Sequence, residues 1–270
     1  MMGRLRLIVL FLIFVAVVWR FGGDGHAPRR PPPLPAPDNS LPTPGADGPV
    51  YEIAADTPCP ALCTGSAFAI DRQGHWLTAQ HVVEGCRQVA VLTGDRRQLP
   101  VRQVARNPHA DVTLLVTDAA AASLPLNLGA LRQGQDGFHI GYPAGAPGQV
   151  HSVLLGRARA RQQGRGGLEE PVMAWAEISR DPPREGSLGG LSGGAVLDRD
   201  GTVIGVTTAE SPRRGRVISA APASLRYLLE RSRLVPQADA AGEPVSAESY
   251  REAARRLRAR GSVGLVLCRA

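Results

Sequence analysis

The run Gly189-Gly190-Leu191-Ser192-Gly193-Gly194 sets one serine among four glycines. A serine hydroxyl is a poor nucleophile until a base takes its proton, and the oxyanion made by its attack needs preorganised backbone N–H donors. Glycines on both sides let the chain turn so that such donors can converge on one point. The string by itself is weak evidence, because glycine-rich turns containing serine are common. Two further residues give it context. His81 stands in Trp76-Leu77-Thr78-Ala79-Gln80-His81-Val82-Val83, where an apolar strand ends and a turn begins, and Asp111 directly precedes the buried-strand pattern Val112-Thr113-Leu114-Leu115. An imidazole can take the serine proton, and an acid beside it can fix the tautomer and stabilise the resulting cation.

Order along the chain separates two enzyme classes. Gly190 to Gly194 also fits the nucleophile elbow of α/β-hydrolases, which requires serine, then acid, then histidine. The six histidines, at 26, 75, 81, 109, 139 and 151, all precede Ser192, so that arrangement is excluded for this serine. The order His…Asp…Ser suits a β-barrel serine protease. His75 and His109 read as turn residues, and His139 and His151 as strand residues.

The elements that must hold these groups are short. Ten candidate strands, from Ser66–Ile70 to Val217–Ala220 and including Leu99–Ala105, Val150–Leu155 and Met173–Ile178, are separated by Gly, Pro and Asp turns with no helix-length patterns between them. That spacing predicts a mainly β chain built as a sandwich or barrel and not as a parallel sheet. Asp198-Arg199-Asp200-Gly201 is a hairpin signal. Near the C-terminus, Pro222 suits the first position of a helix carrying Leu225, Leu228 and Leu229 to about Ser232. A second helix is expected with Ser246 as cap, Tyr250, Ala253, Ala254 and Leu257 on one stripe, and Gly261 at its end, followed by a strand over Val263–Leu267.

Taken together, these blocks resemble a trypsin-like (chymotrypsin-fold) serine protease, nearest to the bacterial HtrA-like branch but without a PDZ domain. Gly65 to Ile70 with Leu77 to Val83 resembles the histidine block of that family, Asp111 to Leu115 its aspartate block, Ile140-Gly141-Tyr142-Pro143 a strand end, and Gly190 to Gly194 with Val203 to Val206 its serine block. The resemblance covers roughly residues 60 to 230. It implies a two-β-barrel fold, a triad of His81, Asp111 and Ser192, an oxyanion hole from the N–H groups of Gly190 and Ser192, no metal and no cofactor. It departs from the family at Ala195, where proline is usual, and at Leu191, which replaces the aspartate that locks a newly cut N-terminus in digestive members. With Gly186 in place of an acid, a pocket lined by Gly186 to Gly189 and Thr207 to Glu210 suits small or apolar side chains.

Four cysteines, Cys59, Cys63, Cys86 and Cys268, are an even number, and read as disulfides rather than a zinc site, because no second closely spaced pair exists. The preferred pairing is Cys63–Cys86 with Cys59–Cys268. The apolar run Leu7–Trp19, flanked by arginines, reads as an export signal or an uncleaved anchor over residues 1–21. Residues 22–50 are rich in proline and read as an extended linker. A protease domain over 51–235 and a helical tail over 236–270 that docks on it complete the expected organisation. The chain carries 31 basic residues, all arginine, against 24 acidic ones. Without a clustered patch or interleaved aromatics this charge gives no reason to expect a nucleic-acid partner. The expected function is therefore a serine endopeptidase of the bacterial envelope acting on proteins or peptides, tethered to the inner membrane with its catalytic domain in the periplasm. A binding or scaffold protein that keeps the fold without turnover is the alternative, and an ester hydrolase would share the chemistry.

Overall fold

Short strands, most of them buried along consecutive residues, build two sheets. In the computed structural model the described residues are 41, 48–53, 61–163, 169–183, 186–211, 215–235 and 242–270. The apolar run Leu7–Trp19 and most of the 22–50 linker lie outside them. Among the described residues no helix is long and apolar enough to cross a membrane.

The first sheet runs in the order β5 (Gln98–Pro100), β4 (Gln88–Leu92), β14 (Val263–Arg269), β2 (Leu62–Ala69), β3 (His75–Thr78), β7 (Thr113–Val116) and β6 (Gln103–Arg106). The expected strand Leu99–Ala105 is broken at a corner. There the Val101 N–H bonds the Val89 carbonyl at 2.9 Å and the Arg102 N–H bonds the Val116 carbonyl at 2.8 Å. One segment thus pairs with β4 before the corner and with β7 after it, which curls the sheet. Trp76, Val91, Leu115 and Val266 fill the inside, and the Trp76 indole N–H is satisfied by Thr117 Oγ1 at 3.0 Å.

The second sheet closes into a six-stranded barrel. β8 (Asp136–Gly141) pairs with β9 (Gly148–Gln162), β9 with β10 (Glu169–Asp181), β10 with β13 (Arg216–Ala220), β13 with β12 (Val203–Ser211), β12 with β11 (Ala195–Leu197), and β11 returns to β8. β1 (Val50–Ile53) adds to the free side of β9 in parallel. The hairpin β9–β10 is far longer than the sequence pattern indicates, because it continues through paired surface charges: Arg159 and Arg161 both face Glu169. Leu154, Met173, Trp175 and Val217 occupy its interior.

Between the two sheets a shared core joins Phe68, Leu77 and Leu114 to Phe138, Ile140 and Tyr142, and two helices close it from outside. α1 (Pro222–Arg231) contributes Leu225, Leu228 and Leu229, as expected, and α2 (Tyr250–Ala259) contributes Tyr250 and Leu257. Burial of each such large side chain is worth about 1.5–3 kcal/mol. α2 begins later than a Ser246 cap implies. Ser246 instead closes the preceding turn, where its Oγ accepts from the N–H groups of Glu248 and Ser249, both at 3.2 Å.

The segment 236–270 was expected as a docked tail, yet its last strand is internal to the first sheet. β14 lies between β2 and β4 and is antiparallel to both. This placement corrects the cysteine pairing. Cys268 stands opposite Val89, just after Cys86, and the Arg87 N–H bonds the Arg269 carbonyl at 2.7 Å, so Cys86 is disulfide-bonded to Cys268. The pairs Cys63–Cys86 and Cys59–Cys268 are thereby excluded. Cys63 is also in a disulfide, and Cys59 lies outside the described residues.

Candidate active site

His81 is carried by a short 3-10 turn, Gln80–Val83, that follows β3, with Val82 and Val83 buried beneath it. Asp111 closes the loop between β6 and β7. That loop is held by its own polar groups: the Asn107 N–H bonds the Val112 carbonyl at 3.0 Å, the His109 N–H bonds Asn107 Oδ1 at 2.9 Å, and Asn107 Nδ2 reaches the Ser224 carbonyl on α1 at 2.9 Å. The Asp111 side chain is 1% exposed. Its Oδ1 accepts the backbone N–H of His81 at 2.9 Å, and its Oδ2 lies 2.5 Å from His81 Nδ1. An ionised carboxylate can only accept, so this contact puts the ring proton on Nδ1 and leaves Nε2 as the basic nitrogen. Two bonds to one carboxylate fix both the backbone and the ring of His81.

Ser192 stands in the loop between β10 and β11. Leu188 and Leu191 plug the loop into the core of the second barrel, which explains a leucine directly before the serine. The loop is then turned by its glycines. Gly190 has φ +94°, and Gly193 has φ +85° with no room for a Cβ beside the Ser66 carbonyl and Thr78 Oγ1. Thr78 lies just before the His81 turn, so the tight approach at Gly193 is also what brings the serine loop against the histidine block. The Ser66 N–H bonds the Ser192 carbonyl at 2.8 Å, Ser66 Oγ donates to the Gly190 carbonyl at 2.7 Å, and the Gly193 N–H bonds the Thr207 carbonyl at 2.7 Å. Ser192 Oγ itself donates to the Thr208 carbonyl at 3.4 Å.

The Gly189 carbonyl accepts from the Ala144 N–H at 2.6 Å. In a trans peptide C=O and N–H point in opposite directions, so this bond turns the Gly190 N–H to the other side of the loop. Among the described residues neither the Gly190 nor the Ser192 N–H donates a hydrogen bond. The segment Gly141–Gln149 that supplies Ala144 is gripped from behind by Arg258 of α2. Its guanidinium donates to the carbonyls of Gly141, at 3.0 Å, and Gly148, and to Gln149 Oε1 at 2.8 Å. Burial pushes the Arg258 pKa down to about 10, which still leaves it charged at neutral pH.

Beside Ser192 lies a cavity of about 30 Å³ bounded by Leu188, Gly189, Leu191, Thr207, Ala209, Glu210 and Val217. It shares Leu188, Gly189, Thr207, Ala209 and Glu210 with the expected pocket. Besides the hydroxyls of Ser192 and Thr207, the lining holds the carboxylate of Glu210, whose Oε1 accepts from the Leu188 N–H at 2.6 Å and from the Ser187 hydroxyl. Among the other histidines, His75, expected in a turn, is the first residue of β3 and bonds Asp71 at 2.6 Å, whereas His109 does lie in a turn and packs edge-on to Tyr227. His139 is wholly buried on β8 between Thr207 Oγ1 and Ser152 Oγ, each at 2.9 Å. Sequence reasoning missed Ser66 and Ala144, two anchors of the serine loop, because Ala144 acts through its backbone N–H and the Ser66 hydroxyl meets Gly190 and Tyr142 only through pairing of segments distant in the chain. Among the described residues no cluster of three His, Cys, Asp or Glu side chains is placed to hold a metal ion.

Known proteins agree with this architecture. Protease Do-like 1, chloroplastic, of Arabidopsis thaliana is 31% identical over 151 residues, which are 54% of this chain and 33% of that protein. A probable periplasmic serine endoprotease DegP-like protein of Bartonella henselae is 30% identical over 160 residues, 58% of this chain and 30% of its own length. The chain thus spans about a third of the length of these curated relatives. Among solved structures, the active form of the Rv3671c protease from M. tuberculosis superimposes with a TM-score of 0.52 at 17% identity, over 76% of this chain and 95% of the other. At that identity the likeness shows the fold, a chymotrypsin-like pair of barrels. The trypsin-like peptidase domain matches residues 65–206, more than half of the chain, and this span runs from the foot of β2 through His81, Asp111 and Ser192 to β12. By that match, and with the two barrels arranged as the fold requires, the chain belongs to the trypsin-like peptidase domain family.

Proposed function

We propose that the chain is a serine endopeptidase, with Ser192 as nucleophile, His81 as general base and acid, and Asp111 as the group that holds the imidazole. The observation that carries this reading is the pair of hydrogen bonds between the Asp111 carboxylate and His81, which leaves Nε2 as a base, together with a serine loop whose Gly190 and Ser192 N–H groups donate to no group among the described residues. Ser192 Oγ would attack a peptide carbonyl as His81 Nε2 takes its proton, and the oxyanion would be received by those two N–H groups. His81 would then protonate the leaving amine, and water would release the acyl group by the reverse sequence. The 30 Å³ cavity fits a small side chain on the acyl side of the cleaved bond, since it holds little more than a water molecule. An envelope location is supported by the apolar run Leu7–Trp19, by the disulfides and by the word periplasmic in the names of relatives. In that reading residues 1–21 export or tether the chain.

The test is labelling of the full-length chain by a fluorophosphonate probe, which reports an activated serine without knowledge of the substrate. Wild type labels, while Ser192→Ala and His81→Ala do not. A folded wild-type chain that fails to label refutes a working nucleophile and leaves a protein that uses the fold for binding.

A further inference from the structure

Glu170, the second residue of β10, is a carboxylate only 2% exposed. Its neighbour Glu169 faces solvent and pairs with Arg159 and Arg161, as a strand charge ordinarily does. Glu170 points the other way, as alternation along a strand requires. Its Oε1 accepts from Gln162 Nε2 on β9 at 3.1 Å. Its Oε2 accepts the backbone N–H of Asp111 at 2.6 Å. A buried carboxylate is costly unless its oxygens are met by donors, so a carboxylate kept here indicates that the bond it makes is used.

That bond crosses between the two barrels. Asp111 belongs to the first barrel, whereas β10 belongs to the second and leads directly into the loop that carries Ser192. Three other amides of the Asp111 loop are satisfied within the loop: the Asn107 N–H by Val112, the His109 N–H by Asn107 and the Val112 N–H by Ala110. The Asp111 N–H is satisfied from across the cleft. A chain of short contacts therefore runs from β10 through Glu170 to the Asp111 amide, and from the Asp111 carboxylate to both the backbone and the ring of His81.

We propose that Glu170 is a positioning residue for the Asp111–His81 pair, holding it at a fixed distance from Ser192 by way of the barrel that bears the serine. This rests on the function proposed above and adds to it a residue outside the triad. A misplacement on the order of 1 Å near reacting groups costs roughly 100-fold in rate. Loss of the acceptor therefore acts on the chemical step and leaves encounter with the ligand unchanged.

The experiment compares full-length wild type with Glu170→Met, which fills the volume without an acceptor, Glu170→Ala, which empties it, and Glu170→Gln, whose amide oxygen still accepts from Asp111. Fluorophosphonate labelling is resolved into a binding constant and a maximal rate, at a temperature below the melting transition of every variant. The expected result is a maximal rate lowered about 10- to 100-fold in Met and Ala, a binding constant within twofold of wild type, and a Gln variant within about fivefold of wild type. Folded Met and Ala variants that label at the wild-type rate overturn the proposal, as does a Gln variant as slow as Met. The far-downfield proton resonance of the His81 Nδ1–H is followed in parallel, because it needs no activity. Its retention in Gln together with its loss or broadening in Met supports the role even if Ala does not fold. An unchanged resonance in Met overturns it. If wild type does not label, the proposed function fails, and this resonance alone decides the role of Glu170.

Discussion

Gly190→Ala tests whether the serine loop is shaped to receive an oxyanion. The native φ of +94° is open to glycine and costs an alanine roughly 1–3 kcal/mol. An alanine Cβ would also lie 2.7 Å from the Tyr142 carbonyl oxygen and 2.9 Å from the Ala144 nitrogen, both inside the 3.0 Å that real Cβ atoms respect. These neighbours cannot retreat easily. The Tyr142 N–H is bound to Ser66 Oγ at 2.8 Å, the Ala144 N–H to the Gly189 carbonyl, and Arg258 holds the Gly141 carbonyl behind them. The strain is relieved instead by rotation of the Gly189–Gly190 peptide, which carries its N–H out of line. Loss of one oxyanion donor slows acyl transfer by about 100- to 1,000-fold, so the labelling rate of Gly190→Ala falls by that factor. The melting temperature falls by only about 3–10 °C, the shift that 1–3 kcal/mol produces in a domain of this size. Gly189→Ala is the control, because its φ is not positive and the nearest atom to its Cβ is the side-chain Ser187 Oγ at 3.2 Å, and it labels within about threefold of wild type. A Gly190→Ala chain that labels as fast as this control refutes the assignment of the Gly190 N–H.

Two further outcomes concern stability. Burial, with a smaller push from His151, lowers the His139 pKa to about 3 from the usual 6.5, so between those values the unfolded chain binds a proton that the folded chain refuses. Stability is then lost on acidification through that window, by about 1.4 kcal/mol per pH unit from this residue. Urea unfolding of His139→Gln between pH 7 and 4 shows a slope shallower by about that amount, and equal slopes would disprove the linkage. The disulfide Cys86–Cys268 joins residues separated by 182 positions, and removing it by Cys86→Ser with Cys268→Ser costs up to about 5 kcal/mol in chain entropy. Thermal melts of the double variant show a drop of 10 °C or more. A shift under 2 °C would mean that β14 is held in the sheet by its ladder alone.

The turns that carry the candidate site residues were legible in the sequence. Ser192 among glycines, His81 after an apolar strand and Asp111 before one each report a turn that presents a side chain, and the structure puts all three at such turns. Short apolar segments between Gly, Pro and Asp turns pointed to a mainly β sandwich or barrel, and the pair of barrels came from the family resemblance. Where structure depends on distant partners, the sequence was silent. The corner at Val101–Arg102 leaves the apolar pattern of Leu99–Ala105 unbroken, and only the two ladders it joins reveal the bend. The length of β9 and β10 was hidden by surface arginines and glutamates that read as loop. Glu170 follows Glu169 and has the same type, so nothing local says that one is buried and the other exposed. The disulfide was misassigned for the same reason: Cys86 meets Cys268 only because a strand formed 170 residues later enters beside β4.

That entry has a consequence in time. The barrel that carries His81 and Asp111 has β2 and β4 on either side of a slot, and β14 alone fills it. Loops of this length close slowly, because their entropy must be overcome before the new contacts repay it. At ordinary rates of synthesis β14 follows β4 by on the order of ten seconds or more. Throughout that interval His81 and Asp111 are attached to an unfinished barrel. The order of strands therefore works as a clock: His81 and Asp111 reach their final register only after β14 has been made, long after the two strands that flank its slot.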